Sequence, residues 1–148
     1  MPHHRKSIRD AVVMRLTGLA STGANVFPTR RYPLEPASLP ALCIYTLSEA
    51  SQIHNMGDGR SLLRALELVV EAVAAVNDTL DDTLDQLCLE VETAIGTDAS
   101  FANRVYDCSL ASTAIAIRGE GEKETGSAVM TFALRYRTPA ADPSQNSI

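Results

Sequence analysis

The side chains that could do chemistry in this chain are few and scattered. His3, His4 and His54 are its only histidines. The first two are neighbours near the start of the chain, where an unanchored segment holds no fixed geometry. His54 lies in a polar stretch with no cysteine or second histidine close to it in sequence. A metal centre or an acid–base site needs several groups converging on one point, and this spacing offers none. Cys43, Cys88 and Cys108 are isolated thiols without CxxC spacing, which points to reduced, mostly buried cysteines rather than a disulfide frame or a zinc site. A cysteine nucleophile needs a base within hydrogen-bond reach, and the sequence places none beside Cys43 or Cys88. Asp78, Asp81, Asp82 and Asp85 form an acidic cluster, but it lacks the central glycine and closing glutamate of an EF-hand loop. At the start of a helix these carboxylates serve as caps and meet the positive end of the dipole. The glycine-rich stretch Gly119–Gly126 carries Glu120, Glu122 and Glu124. Their charges repel a phosphate, so the stretch reads as a hairpin tip rather than a phosphate cradle. The sequence therefore predicts no catalytic residue, no metal ligand and no cofactor.

Composition narrows the choice further. The 148 residues are 45% hydrophobic, which suits a single domain with one core. No apolar run is long enough to span a bilayer. The opening MPHHRKSIRD has basic residues but no apolar segment after them, so neither a secretory leader nor a membrane partner is expected. Net charge is -5, which argues against a surface built to grip phosphates. Tryptophan is absent and aromatics make up 5%, too few for a base-stacking platform.

The elements that must position any functional surface follow from periodicity. In Asp81–Ile95, the residues Leu84, Leu87, Cys88, Val91 and Ile95 recur at the one-face spacing of an α-helix. Gly96 follows, suited to a left-handed C-terminal cap. Ser7–Leu19 reads as a first helix, with Ser7 as its N-cap and Ile8, Val12, Leu16 and Leu19 on one face. Thr29–Ser38 holds Pro33 and Pro36 beside Arg30 and Arg31, so it is a loop or a sheet edge. Leu39–Leu47 is rich in strand formers and apolar on both sides, as an internal strand would be. Ser48–Arg60 is a polar, projecting loop ending in Gly57-Asp58-Gly59. Ser61–Val76 fits two periods. As a helix it lines up Leu62, Leu66, Val69, Val70 and Val73; as a strand it sets Leu62, Leu66, Leu68, Val70 and Val76 against Glu67 and Glu71. Its Leu, Ala and Glu content leans to the helix. Arg104–Arg118 and Ser127–Thr138 form a hairpin around Gly119–Gly126. In the second of these strands Ala128, Met130, Phe132, Leu134 and Tyr136 face one way and Thr131, Arg135 and Arg137 the other. Met1–Lys6 and Pro139–Ile148 read as a mobile start and a disordered tail, leaving 7–138 as the folded domain.

Taken in order, RDAVVMRLTGL, NVFPTRRYPL, LPALCIYTLSE, LDQLCLEVETAI and GEGEKETGSAVMTFALRYRT resemble the tail terminator, or tail completion, proteins of long-tailed bacteriophages (the minor tail protein U-like family). The resemblance covers about Ser7–Thr138. It implies an α/β (α+β) fold, with a mostly antiparallel mixed sheet and two main helices packed on one face. It also implies that Ser61–Val76 is a long strand paired with Leu39–Leu47. The function it implies is that of a structural virion protein, not an enzyme. Such a protein forms a homo-oligomeric, hexameric ring on the head-proximal end of the tail tube, stops tube polymerisation and offers a joining surface to the head. The implied partners are other copies of itself, the major tail tube protein and the head–tail connector. DNA would pass through the channel without tight binding, and assembly would take place in the host cytoplasm. The expected contact residues are Arg30, Arg31, Thr131, Arg135 and Arg137. His54, Asp58 and Arg60 join them from one projecting loop, and Glu120 and Glu122 from another. Another neck or head-completion protein of the same virion fits the same pattern. A small cytoplasmic ligand-binding domain or enzyme would instead need His54 and the acidic helix start to converge on a pocket.

Overall fold

A computed structural model of the chain describes residues 2–28, 38–57, 59–118 and 124–147. Helix α1 is His4–Leu16, strand β1 Val26–Phe27, strand β2 Ala41–Ile53, strand β3 Ser61–Ala75, helix α2 Leu80–Gly96, strand β4 Asp107–Arg118 and strand β5 Thr125–Pro139. The five strands form one sheet in the order β1-β2-β3-β5-β4. Strand β1 runs parallel to β2 and every other pair is antiparallel. Both helices pack on the same face, so the fold is the α+β arrangement with a mixed, mostly antiparallel sheet.

The core lies between that face and the helices. Ile8, Val12 and Leu16 of α1 and Leu84, Leu87, Cys88, Val91 and Ile95 of α2 are buried against Leu66, Leu68 and Val70 of β3 and Met130, Phe132, Leu134 and Tyr136 of β5. The α2 face and the β5 alternation are those the sequence predicts. Strand β3 decides the ambiguous stretch in favour of the strand. It is central, paired with β2 along one side and β5 along the other, and Leu66 and Leu68–Ala74 are buried, odd and even positions alike. A strand buried on both faces reads as a nearly continuous apolar run, and two pairing partners override a weak helical propensity.

Several boundaries differ from the sequence reading. Helix α1 starts at His4, with the His3 ring Nδ1 accepting from the Arg5 N–H at 3.0 Å; His3, not Ser7, provides the cap. The helix stops at Leu16 because Thr17 is extended and Gly18 takes a φ of 94°. Met1–Lys6 is thus not a free end from His4 onward: His4 is buried, and its backbone N–H donates to the Pro143 carbonyl at 2.8 Å. Strand β2 continues through Ser48–Ile53, which pairs with Leu62–Glu67 after a bulge between Thr46 and Ser48. The expected Ser48–Arg60 loop therefore shrinks to a tip beyond Ile53. Gly96 stays inside α2, with Thr97 right-handed after it; the left-handed turn comes later, at Phe101, Ala102 and Asn103 (φ 49°, 57° and 64°). The tail after Pro139 folds back, with Ala140 N–H on the Arg60 carbonyl (2.8 Å) and Ser147 N–H on the Arg137 carbonyl (3.0 Å).

The buried thiols and phenol set the alkaline limit of the fold. Burial, then the nearby Glu71 charge, pushes Cys43 up from 9.0 to about 11. Burial, then Asp107, does the same to Cys108. Burial and the hydrogen bond to Glu49 raise the Tyr136 phenol well above its usual value. The native state holds these protons more tightly than the unfolded chain does, so their contribution is complete below about pH 9 and falls away as the pH rises through about 11. Urea midpoints are expected to be level from pH 7 to 9 and to drop between pH 9 and 11. A midpoint unchanged at pH 11 would contradict the burial of these groups.

Candidate interaction surface

The face of the sheet away from the helices carries the polar side of β5. There Arg135 lies across from Ala65 of β3 and Asp107 of β4, and Arg137 lies across from Leu63. A shallow depression of about 110 Å³ beside Arg135 is floored by Ala50, Gln52, Leu63 and Ala65. These small neighbours leave the arginine exposed. Arg137 is half-buried. One terminal nitrogen of its guanidinium lies 2.8 Å from His54 Nε2, and the group sits 6.0 Å from the Tyr106 ring centroid. Its Nε is buried without a hydrogen-bond partner. Because an arginine only donates, His54 Nε2 is the accepting atom of this contact. His54 is held in turn by its backbone N–H on the Ser61 carbonyl at 2.9 Å.

Of the residues expected at a contact surface, the structure brings His54 and Arg137 together at the tip end of the β2–β3 hairpin; Arg60 adjoins them there, and Arg135 shares their face two positions back along β5, across from Ala65. Arg60 joins the group through its carbonyl, bonded to Ala140. Thr131 shares the face but sits four residues back along β5, between Val69 and Ser112, roughly 13 Å away at strand spacing. Arg30, Arg31, Asp58, Glu120 and Glu122 lie outside the described residues.

Behind this surface, on the helix side of the same strands, is a charged network that the sequence reading missed. Glu49 of β2, its side chain 7% exposed, lies 2.7 Å from Arg5 of α1 and 3.0 Å from Arg64 of β3. Its other oxygen accepts from the Tyr136 hydroxyl. Arg64 Nε donates to Thr138 Oγ1 at 2.9 Å. The His4 ring packs 5.3 Å from the Tyr136 ring, and its Nε2 lies 2.8 Å from the Arg104 carbonyl. These contacts tie α1, β2, β3 and β5 together directly beneath Arg135 and Arg137. The network positions the outer surface. It contains no aligned nucleophile and base, and every charged member faces another member.

No protein-family model and no curated protein matches this chain. His54 and the acidic start of α2 stand at opposite ends of β3, a strand of 15 residues, roughly 45 Å apart. The convergence that a pocket enzyme would need does not occur there. Among the described residues no three of His, Cys, Asp and Glu gather where they could hold a metal ion, and no helix is long and apolar enough to cross a membrane. An open groove of about 360 Å³ runs between α1 and the turn at Phe101, with Asp10, Met14, Arg15 and Arg104 among its walls. Its two arginines are engaged in structural bonds: Arg15 to the Asp98 carbonyl at 2.8 Å, and Arg104 to the Phe101 carbonyl at 3.0 Å.

Proposed function

We propose that this chain is a structural subunit of a phage tail, a terminator that forms a homo-oligomeric ring, hexameric by family resemblance, on the head-proximal end of the tail tube. It works by contact rather than by turnover. It stops tube growth, joins the tube to the head-side connector and lets DNA through its channel without tight binding.

The observation that carries this reading is the outer half of the β2–β3 hairpin. Ile53 and Met56, which flank His54 in sequence, are 52% and 80% exposed there, and Leu47 at the bulge is 50% exposed; Ile53 lies across from Leu62, on the face opposite Arg137. Exposed apolar side chains and arginine at one end of a sheet are a usual composition of a protein contact surface. The buried Glu49 network supports the reading from beneath, because a contact surface gains affinity when its scaffold is rigid before docking. The net charge of -5 agrees with a channel that DNA passes without being held.

The test is light scattering of the purified protein over a range of concentrations, with and without assembled tail tubes, with tube length measured alongside. A closed ring on tube ends and arrested growth are expected. Arg135→Glu and Arg137→Glu should each weaken tube-end capture by roughly tenfold, the effect of about 1.4 kcal/mol lost at a contact. A subunit that ignores tubes at every concentration would sink the proposal.

A further inference from the structure

Strand β4 is the last strand of the sheet, and among the described residues nothing pairs with its outer side. Along that side alternate N–H and C=O groups of a 12-residue strand face outward. Edge strands of this kind are normally blunted by short length, lysine, proline or an inward-pointing charge. At the opposite border the last strand, β1, has only two residues and covers Leu42 and Cys43 of β2, and the rest of β2 carries Glu49 on that border. Strand β4 is not blunted. Between Cys108 and Ile117 its sequence, CSLASTAIAI, has neither charge nor proline. Its one irregularity is the register shift between Leu110 and Ser112.

The side chains match the edge. Cys108, Leu110, Ile115 and Ile117 lie across from Leu134, Phe132, Ala128 and Gly126 of β5, on the face that the helices cover elsewhere. Helix α2 packs on β3 and β5; Cys108 still packs against the core, but beyond it the border is uncovered, with Leu110 37%, Ile115 53% and Ile117 63% exposed.

We propose that β4 pairs antiparallel with β4 of a second copy across a twofold axis, joining two five-stranded sheets into one. The occupant follows from the strand's self-complementarity. In the register that uses the whole strand, Leu110 falls opposite Ile115 of the other copy and Cys108 opposite its Ile117. All four are on the helix-side face, where cross-strand apolar pairs stabilise a sheet. The bulge makes this possible: it shifts the alternation midway, so positions of opposite parity share a face on either side of the axis.

This inference does not rest on the tail-terminator reading. A twofold contact pairs two copies and closes no six-membered ring, so the two stand or fall separately. The test is sedimentation velocity of the full chain without tubes, over a wide concentration range. A monomer–dimer equilibrium is expected, and Ile115→Lys should weaken it by roughly tenfold or more, since each dimer loses two apolar pairs at once. The far-ultraviolet circular dichroism should stay unchanged, because residue 115 faces solvent in the single subunit. Register is read separately. The double variant Leu110→Cys, Ile115→Cys should give a disulfide-linked dimer on mild oxidation, with the bond between positions 110 and 115 by mass spectrometry of the peptides. Neither single variant should link through its own introduced cysteine. A monomer at all concentrations overturns the proposal. So does a dimer or a hexamer that is unaffected by Ile115→Lys and yields no 110–115 link; the hexamer would at the same time favour the ring.

Discussion

Glu49→Ala is expected to destabilise the fold by roughly 3–5 kcal/mol, the usual cost of removing one partner from a buried ion pair. Among the described residues the carboxylate is the only anion paired with both Arg5 and Arg64, and it also accepts from the Tyr136 hydroxyl. Without it, Arg64, its side chain only 10% exposed, is a buried cation with one hydroxyl contact left. The cost comes from that stranded charge more than from the lost attraction, because two charges taken out of water recover little net energy by meeting. For a chain of this length the change corresponds to a fall in melting temperature of roughly 10 °C. Glu67→Ala, on the exposed face of β3, should change stability by about 0.5 kcal/mol or less. Urea unfolding of both variants checks the contrast. Similar small losses for the two would mean that Arg64 reaches water and the network is not a buried one.

Phe101→Ala should cost a similar amount, roughly 3–5 kcal/mol, for a different reason. Phe101 is 1% exposed and holds a turn in which three successive residues take positive φ. Left-handed backbone at residues other than glycine costs roughly 1–2 kcal/mol per residue, so this turn persists only because something over-determines it. The Asp98 carboxylate accepts from the Ser100 and Ala102 N–H groups at 3.0 and 2.9 Å, and the ring anchors the turn to the core. It is buried in the core, and the Arg15 guanidinium lies over it at 4.4 Å from the centroid. Removing the ring leaves a cavity and releases the strain, and the link between α2 and β4 should loosen. Hydrogen exchange at residues 98–105 is expected to accelerate more than in α2 itself. Arg15→Ala, which removes the cation but leaves the ring, should cost about 1 kcal/mol. A Phe101→Ala variant as stable as Arg15→Ala would show that the turn is held by its hydrogen bonds, those to Asp98 included, without the ring.

What the sequence showed and what it hid divide along a physical line. Helix α2 and strand β5 were legible because each buries one face only, so the period of burial is written directly in the residue types. Strand β3 was not legible, because a strand buried on both faces loses its alternation, and its leucines and alanines then resemble a helix. Its pairing with β2 and β5, which no local window contains, settles the matter. The Glu49 network was hidden for a related reason. Its members are far apart in the chain, and Arg64 is a charge on an otherwise apolar strand face, between Leu62 and Leu66. Under the strand reading that break in the pattern was a visible sign that a buried partner exists, although not which one. The opening residues looked free because histidine next to histidine suggests no packing, yet the ring of His3 caps the first helix and that of His4 lies against Tyr136. On the outer surface, residue type identified Arg135 and Arg137 once β5 was recognised. The pairing of Arg137 with His54 needed the hairpin and β5 to be laid side by side.

The folded-back tail has a consequence for how the chain can be handled. The N–H of His4 bonds to the carbonyl of Pro143, and Asn146 reaches the carbonyl of Asn103, so the opening and closing segments meet beside the tip end of the β2–β3 hairpin. The path of the backbone is therefore close to a closed loop. A short peptide joining the two segments would bridge a gap that the fold has already closed, and circular permutation of this domain needs little new backbone. The closing segment also bonds to the carbonyls of Arg60 and Arg137, so a purification tag placed after it would sit next to those two arginines. A bulky tag would then shield the arginines from whatever they touch, whereas a tag inserted between β3 and α2, at the far end of the sheet, would leave them open.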